Sequence, residues 1–316
     1  WADNEDGIRL PDGFRRVVVA DELGTVRHIT VRENGDVYAA LRRVYQGGGI
    51  VALRDTNGDG VADVQKRFGD DGATGIRIHH GYLYVATPRR VIRYRLGEGS
   101  LLPTGDPQVV VGGFPRQGQH ADKTITFDEN GHIYVNVGAP SNACQQKTRT
   151  PEVPGMDPCP QLKRHGGIWR FDADELNQTQ QEDGVHFATG IRHTVAMHWN
   201  SGADELYIMQ HGRDQLHSLW PDRFTVEQNA KLPAEEFMLV EKGDNFGWPY
   251  CYYDHLKGRK VLAPEYGGDG EKVGRCDQYK DPLMGFPGHW APNGLMFYTG
   301  SQFPEKYHGG AFIAFH

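Results

Sequence analysis

Residues 29–38 read Ile29-Thr30-Val31-Arg32-Glu33-Asn34-Gly35-Asp36-Val37-Tyr38. A β-branched apolar run meets Asn-Gly, then resumes as a second run that ends in an aromatic. This is the pattern of a β-hairpin, because Asn and Gly accept the positive φ that a tight hairpin turn needs. The unit returns at 76–84 with His80-Gly81 at the turn, and at 125–134 with Asn130-Gly131. A fourth copy covers 195–207 around Asn200-Ser201-Gly202, and a looser fifth covers 295–312 around His308-Gly309-Gly310. The closing aromatics Tyr38, Tyr84, Tyr134, Tyr207 and Phe312 are 46, 50, 73 and 105 residues apart. A spacing of about 40–50 residues is that of one four-stranded propeller blade. The third interval carries an insertion with Cys144 and Cys159, and the fourth has room for two blades or for one with a long excursion. Helical periodicity is confined to 173–181 and 230–236. The chain therefore predicts an all-β propeller rather than a sandwich, since its units repeat at blade size.

Composition agrees with many tight turns. The chain has 316 residues with 41 Gly and 18 Pro, a joint share well above the usual ~12%. Aromatic content of 11% excludes a disordered chain, and the glycines have no collagen period. No run of about 18 apolar residues occurs, so no spanning helix is expected. The net charge is −7, with no basic face, so nucleic acid is not an expected partner. The four cysteines lack a CxxC pattern, which argues against zinc and thioredoxin chemistry. Loop-closing disulfides pairing nearest neighbours, Cys144 with Cys159 and Cys251 with Cys276, are the expectation, although four cysteines permit three pairings. Such bonds place the protein in the periplasm or outside the cell. The chain starts at Trp1 and stops inside a strand-like run, so residues 1–316 are expected to be one propeller domain, trimmed at its start and incomplete at its C-terminus.

In a propeller the residues just before each innermost strand gather at one channel mouth. Here they are Arg27-His28, Ala73-Thr74, Gln119-His120, Arg192-His193 and residues 289–293, which begin with His289. Each could be a turn residue serving its own backbone. As a group, guanidinium and imidazole at matching positions suit an anionic ligand and a proton acceptor. A second constellation, Asp55-Thr56-Asn57-Gly58-Asp59-Gly60-Val61-Ala62-Asp63, sets oxygen donors at the spacing of a calcium loop. Asp55, Asn57, Asp59, Asp63 and the Val61 carbonyl would be the ligands of a structural calcium. Lys66 stands where the bidentate Glu would be, and a plain hairpin turn is the competing reading. The remaining histidines have no metal-ligand spacing and are expected on the surface or in loops.

Several segments, taken in order, resemble the soluble quinoprotein sugar dehydrogenases, the glucose/sorbosone dehydrogenase family, and most closely its sorbosone-dehydrogenase-like branch. They are 10–14 (LPDGF), His120 with the strand up to Gly138, 190–193 (GIRH), 210–214 (QHGRD), 243–254 (GDNFGWPYCYYD) and 291–295 (APNGL). The resemblance implies a six-bladed β-propeller holding pyrroloquinoline quinone (PQQ) and Ca2+ at the channel mouth. It implies His120 as catalytic base and Arg192 as the group that stabilises charge on the quinone oxygen. His193 falls where that family has a cofactor-contacting Asn, and His289 falls near another cofactor contact. The carbonyls of Gly212 and Arg213 match those that hold the cofactor's calcium. Where that family has an Asp after the strand glycine, this chain has Ala139, so another group must orient His120. The family's Lys and Arg contacts to the cofactor carboxylates would fall beyond His316.

The function this implies is a PQQ-dependent dehydrogenase acting on an aldose or a sorbosone-like sugar aldehyde, with a cytochrome as a plausible electron acceptor. Two other classes compete. One is a non-catalytic propeller that binds a protein or glycan through its loops. The other is a calcium-dependent propeller lactonase, whose site needs carboxylates that the channel positions here lack.

Overall fold

The computed structural model describes residues 2–3 and 8–316; Trp1 lies outside them. Each repeated hairpin of the sequence forms the inner pair of strands of a blade. Blade one is Val26–Val31, Val37–Tyr45, Gly48–Arg54 and Val64–Phe68, paired antiparallel in chain order. Blade two is Gly75–His79, Tyr82–Ala86, Val91–Leu96 and Pro103–Gly112, and Gln178–Thr179 adds a short parallel edge. Blade three is Ile125–Phe127, His132–Val137, Gly167–Asp172 and Val185–Thr189. Blade four is Thr194–Asn200, Glu205–Gln210, Glu235–Val240 and Met284–Phe286. A final hairpin, Pro292–Phe297 with Ala311–Phe315, forms the inner pair of a fifth. The first strands of successive blades touch in order around the channel.

The propeller holds, but the six-blade expectation does not: the described residues build four complete blades and one inner hairpin. The reason lies in blade four. Its second and third strands are separated by the helices Leu216–Leu219 and Val226–Lys231. Its third and fourth strands are separated by a hairpin, Cys251–Asp254 with Arg259–Leu262. The 105-residue interval is thus one blade with excursions, not two blades. The expected helix at 173–181 is absent, because Gln178–Thr179 leaves to join blade two. The one near 230 ends earlier, at Lys231, and starts on a capping box at Thr225 and Gln228.

The core lies between blades rather than within any one sheet. Tyr38, Ala40, Ile50 and Ala52 of blade one pack on Ile76, Leu83 and Val85 of blade two. Tyr84 and Val110 of blade two pack on Ile133, Val135 and Trp169 of blade three. Second strands are therefore covered on both faces, and Tyr82–Ala86 is buried almost throughout. The repeated aromatic also fastens neighbours together. The Tyr38 hydroxyl donates to the Leu101 carbonyl of blade two, and the Tyr84 hydroxyl to the Ala173 carbonyl of blade three, both at 2.9 Å. Both expected disulfides form, Cys144–Cys159 and Cys251–Cys276, and close the loops inserted in blades three and four. Among the described residues no helix is long and apolar enough to cross a membrane.

Candidate active site

Blades three and four meet at the channel mouth, and four of the expected residues come together there. His120 lies in the loop before Ile125–Phe127, with φ +52. His193 precedes Thr194–Asn200, and the two imidazoles stack with centroids 4.9 Å apart. His211 stands edge-on to His193 at 5.4 Å and donates from Nε2 to the Pro292 carbonyl. Gly138 makes this approach possible. A Cβ there would lie 2.6 Å from Nδ1 of His193 and 2.7 Å from Cβ of His120. Arg149, Gln215, His289 and Ala291 also have positive φ around this mouth. Non-glycine residues held in that region cost roughly 1–3 kcal/mol each, and such strain gathers at functional sites.

The group that orients His120 is the backbone of the residue that replaced the expected acid. His120 Nδ1 lies 2.6 Å from the Ala139 carbonyl oxygen. A carbonyl can only accept, so Nδ1 carries the hydrogen and Nε2 keeps its lone pair. Burial, and then the Arg192 guanidinium, push His120 down to about 3. Burial and neighbouring cations hold His211 at about 4 and His193 well below its ordinary value. The three rings are therefore neutral at physiological pH, and partly exposed His120 presents a free Nε2.

Arg192 is buried beneath them and has a partner for every part of its fork. Nη2 meets Asp214 Oδ2 at 2.8 Å and Asn142 Oδ1 at 3.0 Å. Nη1 donates to the Gly212 carbonyl at 2.8 Å, and Nε to the Asn142 carbonyl at 3.2 Å. Its amide donates to Gln210 Oε1, and Gln210 Nε2 passes the chain on to buried Glu236, which pairs with Lys260 at 2.9 Å. Asp214 is shared with Arg149, whose Nη2 also reaches Oδ2, at 2.9 Å. Burial opposes the charge of Asp214, but Arg192 and Arg149 outweigh it and keep the carboxyl below its usual value. His289 completes the rim, 4.0 Å from Asp214.

Sequence reasoning missed Arg149, Asn142, Asp214 and the Ala139 carbonyl. Asp214 sat inside the QHGRD segment and could have been read as the partner of Arg192. Arg149 carried no signal, since it reaches the mouth only through the loop closed by Cys144–Cys159. The Arg213 side chain enters a buried ion pair with Glu265 at 2.8 Å, which does not bear on the expected contact through its carbonyl. The Gly212 carbonyl already serves Arg192, so a calcium ion on it would share an oxygen with a guanidinium, and this arrangement does not fit a dication there. In the 55–63 loop the side chains turn onto the loop itself: Asp55 accepts from the amides of Asn57, Gly58 and Gly60, and Asp63 from Thr56. Among the described residues no three His, Cys, Asp or Glu side chains converge on a metal position. Of the histidines expected on surfaces or in loops, His198 instead lies on the inner strand of blade four, while His186 is exposed and stacks on Trp169 at 4.1 Å.

Ligand space follows from this packing. The void beside Arg192, Gln210, Arg213 and Trp248 is about 10 Å3, room for one water. That void is too small for a quinone, and the open mouth over His120 and the Arg149–Asp214 rim is the remaining space beside this cluster. Neutral imidazoles beside two arginines suit an anionic, hydrogen-bonding ligand. The described side chains thus fit a polycarboxylate quinone better than they fit its calcium.

Solved structures share the fold. The holo form of the pyranose dehydrogenase PQQ domain from Coprinopsis cinerea superposes with a TM-score of 0.74 at 18% identity, over 93% of this chain and 73% of that one. The calcium structure of the family AA12 enzyme from Trichoderma reesei gives 0.72 at 19% identity, over 92% and 74%. The PQQ-bound aldose sugar dehydrogenase from Streptomyces coelicolor gives 0.56 at 17% identity, over 94% and 76%. A curated relative from Borreliella burgdorferi, named only as an uncharacterized protein, is 27% identical over 198 residues. That match covers 62% of this chain, and the chain spans only 42% of the relative's length. The TrAA12-like family model matches residues 8–316, mouth and blades together, and the chain therefore belongs to the TrAA12-like family.

Proposed function

We propose that this protein is a PQQ-dependent dehydrogenase that oxidises an aldose or a sorbosone-like sugar aldehyde. The observation that carries the reading is the His120 imidazole, partly exposed at the mouth, fixed by the Ala139 carbonyl and neutral, with Nε2 free. Membership of the TrAA12-like family and the fold shared with sugar dehydrogenases support it. PQQ, when bound, supplies the acceptor for the hydride that leaves the sugar carbon. His120 takes at Nε2 the proton of the hydroxyl on the reacting carbon, the anomeric hydroxyl of an aldose or a hydroxyl of the hydrated aldehyde, as the carbonyl forms. The Ala139 carbonyl keeps the ring from turning and steadies the imidazolium through Nδ1–H. Arg192, held by Asp214, Asn142 and Gly212, is a fixed positive charge that needs no reorganisation when negative charge develops above it.

The electrons would then pass to an external acceptor, for which a cytochrome suits an oxidising compartment. A propeller lactonase finds no support, because its metal-gathered carboxylates are missing from the described mouth. The test is equilibrium binding of PQQ by fluorescence quenching, followed by dye-linked assays with a panel of aldoses and sugar aldehydes. Binding near or below micromolar with substrate-dependent dye reduction is expected. Binding without turnover of any sugar would leave a quinone-binding propeller and end the dehydrogenase reading. Absence of binding would favour the non-catalytic propeller.

A further inference from the structure

Arg77 is the second charged feature of the channel, and the mouth chemistry does not use it. It lies on Gly75–His79, the innermost strand of blade two, so its side chain enters the channel below the mouth. Its guanidinium donates only to the Ile76 carbonyl at 3.1 Å and the Met197 carbonyl, across the channel in blade four, at 3.4 Å. Five N–H groups are available on an arginine, so most of them are unserved by protein. Among the described residues, no carboxylate forms an ion pair with Arg77. Burial lowers its affinity for the proton, with no acid to oppose it.

Its described surroundings supply no free negative charge to balance it. His28, on the inner strand of blade one, donates from Nε2 to the Asn293 carbonyl at 2.7 Å, and its Nδ1 is enclosed without a partner. His198, on the inner strand of blade four, likewise has an unpartnered Nδ1. Arg77 lies close enough to both that its charge, after burial, helps hold each at about 4. Arg27 is also nearby, and the one acid of this layer is Asp122. That acid is already taken by Arg27 at 3.5 Å and by the Thr74 hydroxyl at 3.0 Å. Arg77 is partly exposed within this enclosure. Most of its N–H groups are therefore left for water or a ligand to serve.

We propose that the channel binds one small monovalent anion on Arg77, between blades two and four and flanked by His28 and His198. The ligand class is a halide or a comparably small anion, held with water that serves the imidazole nitrogens. Its role is to tie the inner strands of blades one, two and four together where no protein carboxylate does so. This goes beyond the mouth chemistry and does not depend on it.

The probe is bromide. Crystals grown without halide and soaked in sodium bromide should give an anomalous peak against the Arg77 guanidinium. In solution, bromide should raise the melting temperature along a saturating curve, relative to sodium gluconate at equal ionic strength. Arg77→Gln should abolish that rise. Water alone beside Arg77 in the bromide-soaked crystals overturns the proposal, as does an unchanged bromide response in Arg77→Gln. Should the variant not fold, the anomalous map of the unaltered protein still decides.

Discussion

His120 Nδ1 and the Ala139 carbonyl oxygen are 2.6 Å apart, so the residue that stands where an orienting acid was expected does the orienting through its backbone. A carboxylate there would raise the proton affinity of the ring. A carbonyl fixes the tautomer with a partial charge only, and leaves burial and Arg192 to hold the imidazole neutral.

Replacement of His120 is therefore expected to remove the base without disturbing the fold, because the ring is partly exposed and its one ring hydrogen bond among the described residues is to the Ala139 carbonyl. His120→Ala should lower kcat by about 10^2–10^4, with unchanged circular dichroism and PQQ affinity within a few-fold. Gly138→Ala should act on the same ring from behind. Its new methyl would meet both His193 and His120, costing about 1–3 kcal/mol by overpacking. Steady-state kinetics and urea unfolding on the two variants separate loss of chemistry from loss of packing. An active, fully stable Gly138→Ala would show that the imidazole stack is not fixed.

The acid limit of the protein follows from its enclosed histidines. His120 is held at about 3, and His28 and His198 at about 4, against 6.5 for a free histidine, in each case chiefly by burial. Between those values and 6.5 the unfolded chain binds protons that the folded chain refuses. Stability must then rise with pH in that window and fall as pH drops from 6.5 toward 4. Melting temperatures measured from pH 7 to pH 4 should decline steadily, and the His120 ring signals should not titrate above pH 5 in the ligand-free protein. An anionic ligand on the mouth should raise the His120 value toward its ordinary range, visible as a titration that appears only with PQQ. A His120 titration near 6.5 without ligand would contradict the enclosure described.

The inserted loop of blade three should act on the mouth through Arg149. The Cys144–Cys159 bond closes 15 residues of chain, and a loop of that size loses about 3 kcal/mol of stabilisation when opened. Cys144→Ala with Cys159→Ala should show that loss in urea unfolding. It should also free Arg149 from Gln119, Gln215 and Asp214, which raises KM for the dehydrogenase reaction more than it lowers kcat. Arg149→Ala, which leaves the disulfide intact, should reproduce the KM effect without the stability loss. A double cysteine variant with wild-type KM would confine that disulfide to stability.

The hairpin repeat made the propeller legible because each copy carries its turn, its apolar runs and its closing aromatic within about ten to eighteen residues. The mouth was partly legible for the same reason: His120, Arg192 and His193 precede inner strands, and topology alone gathers such residues. The missing parts are those set by long-range packing. Arg149 is placed by a disulfide loop, and Ala139 acts through an oxygen that every residue has. The blade count was not legible: six blades followed from the resemblance, while the 105-residue interval left open whether its excess forms strands in the ring or excursions outside it.

Arg213 and Arg192 are near neighbours in space but should respond to mutation in opposite ways. Arg213 and Glu265 form an ion pair in which both side chains are almost fully enclosed, 3% and 0% exposed. The Trp220 indole also donates to Glu265, at 3.0 Å, which ties the helical excursion of blade four to the 3-10 turn at Pro264–Tyr266. Removing one member strands a buried charge, so Glu265→Ala should cost about 3–5 kcal/mol. Glu265→Gln, which keeps an acceptor, should cost less. Neither change touches a group facing the mouth, so kcat per folded molecule should be unchanged. Arg192→Gln should instead remove the fixed charge under His120 and leave Asp214 with Arg149 alone. Its kcat should fall by about 10^2 or more, while the His120 titration moves up, because the cation that suppressed it is gone. Chemical unfolding and His120 NMR on the three variants test the division. A large rate loss in Glu265→Gln at full stability would return Arg213 to the site.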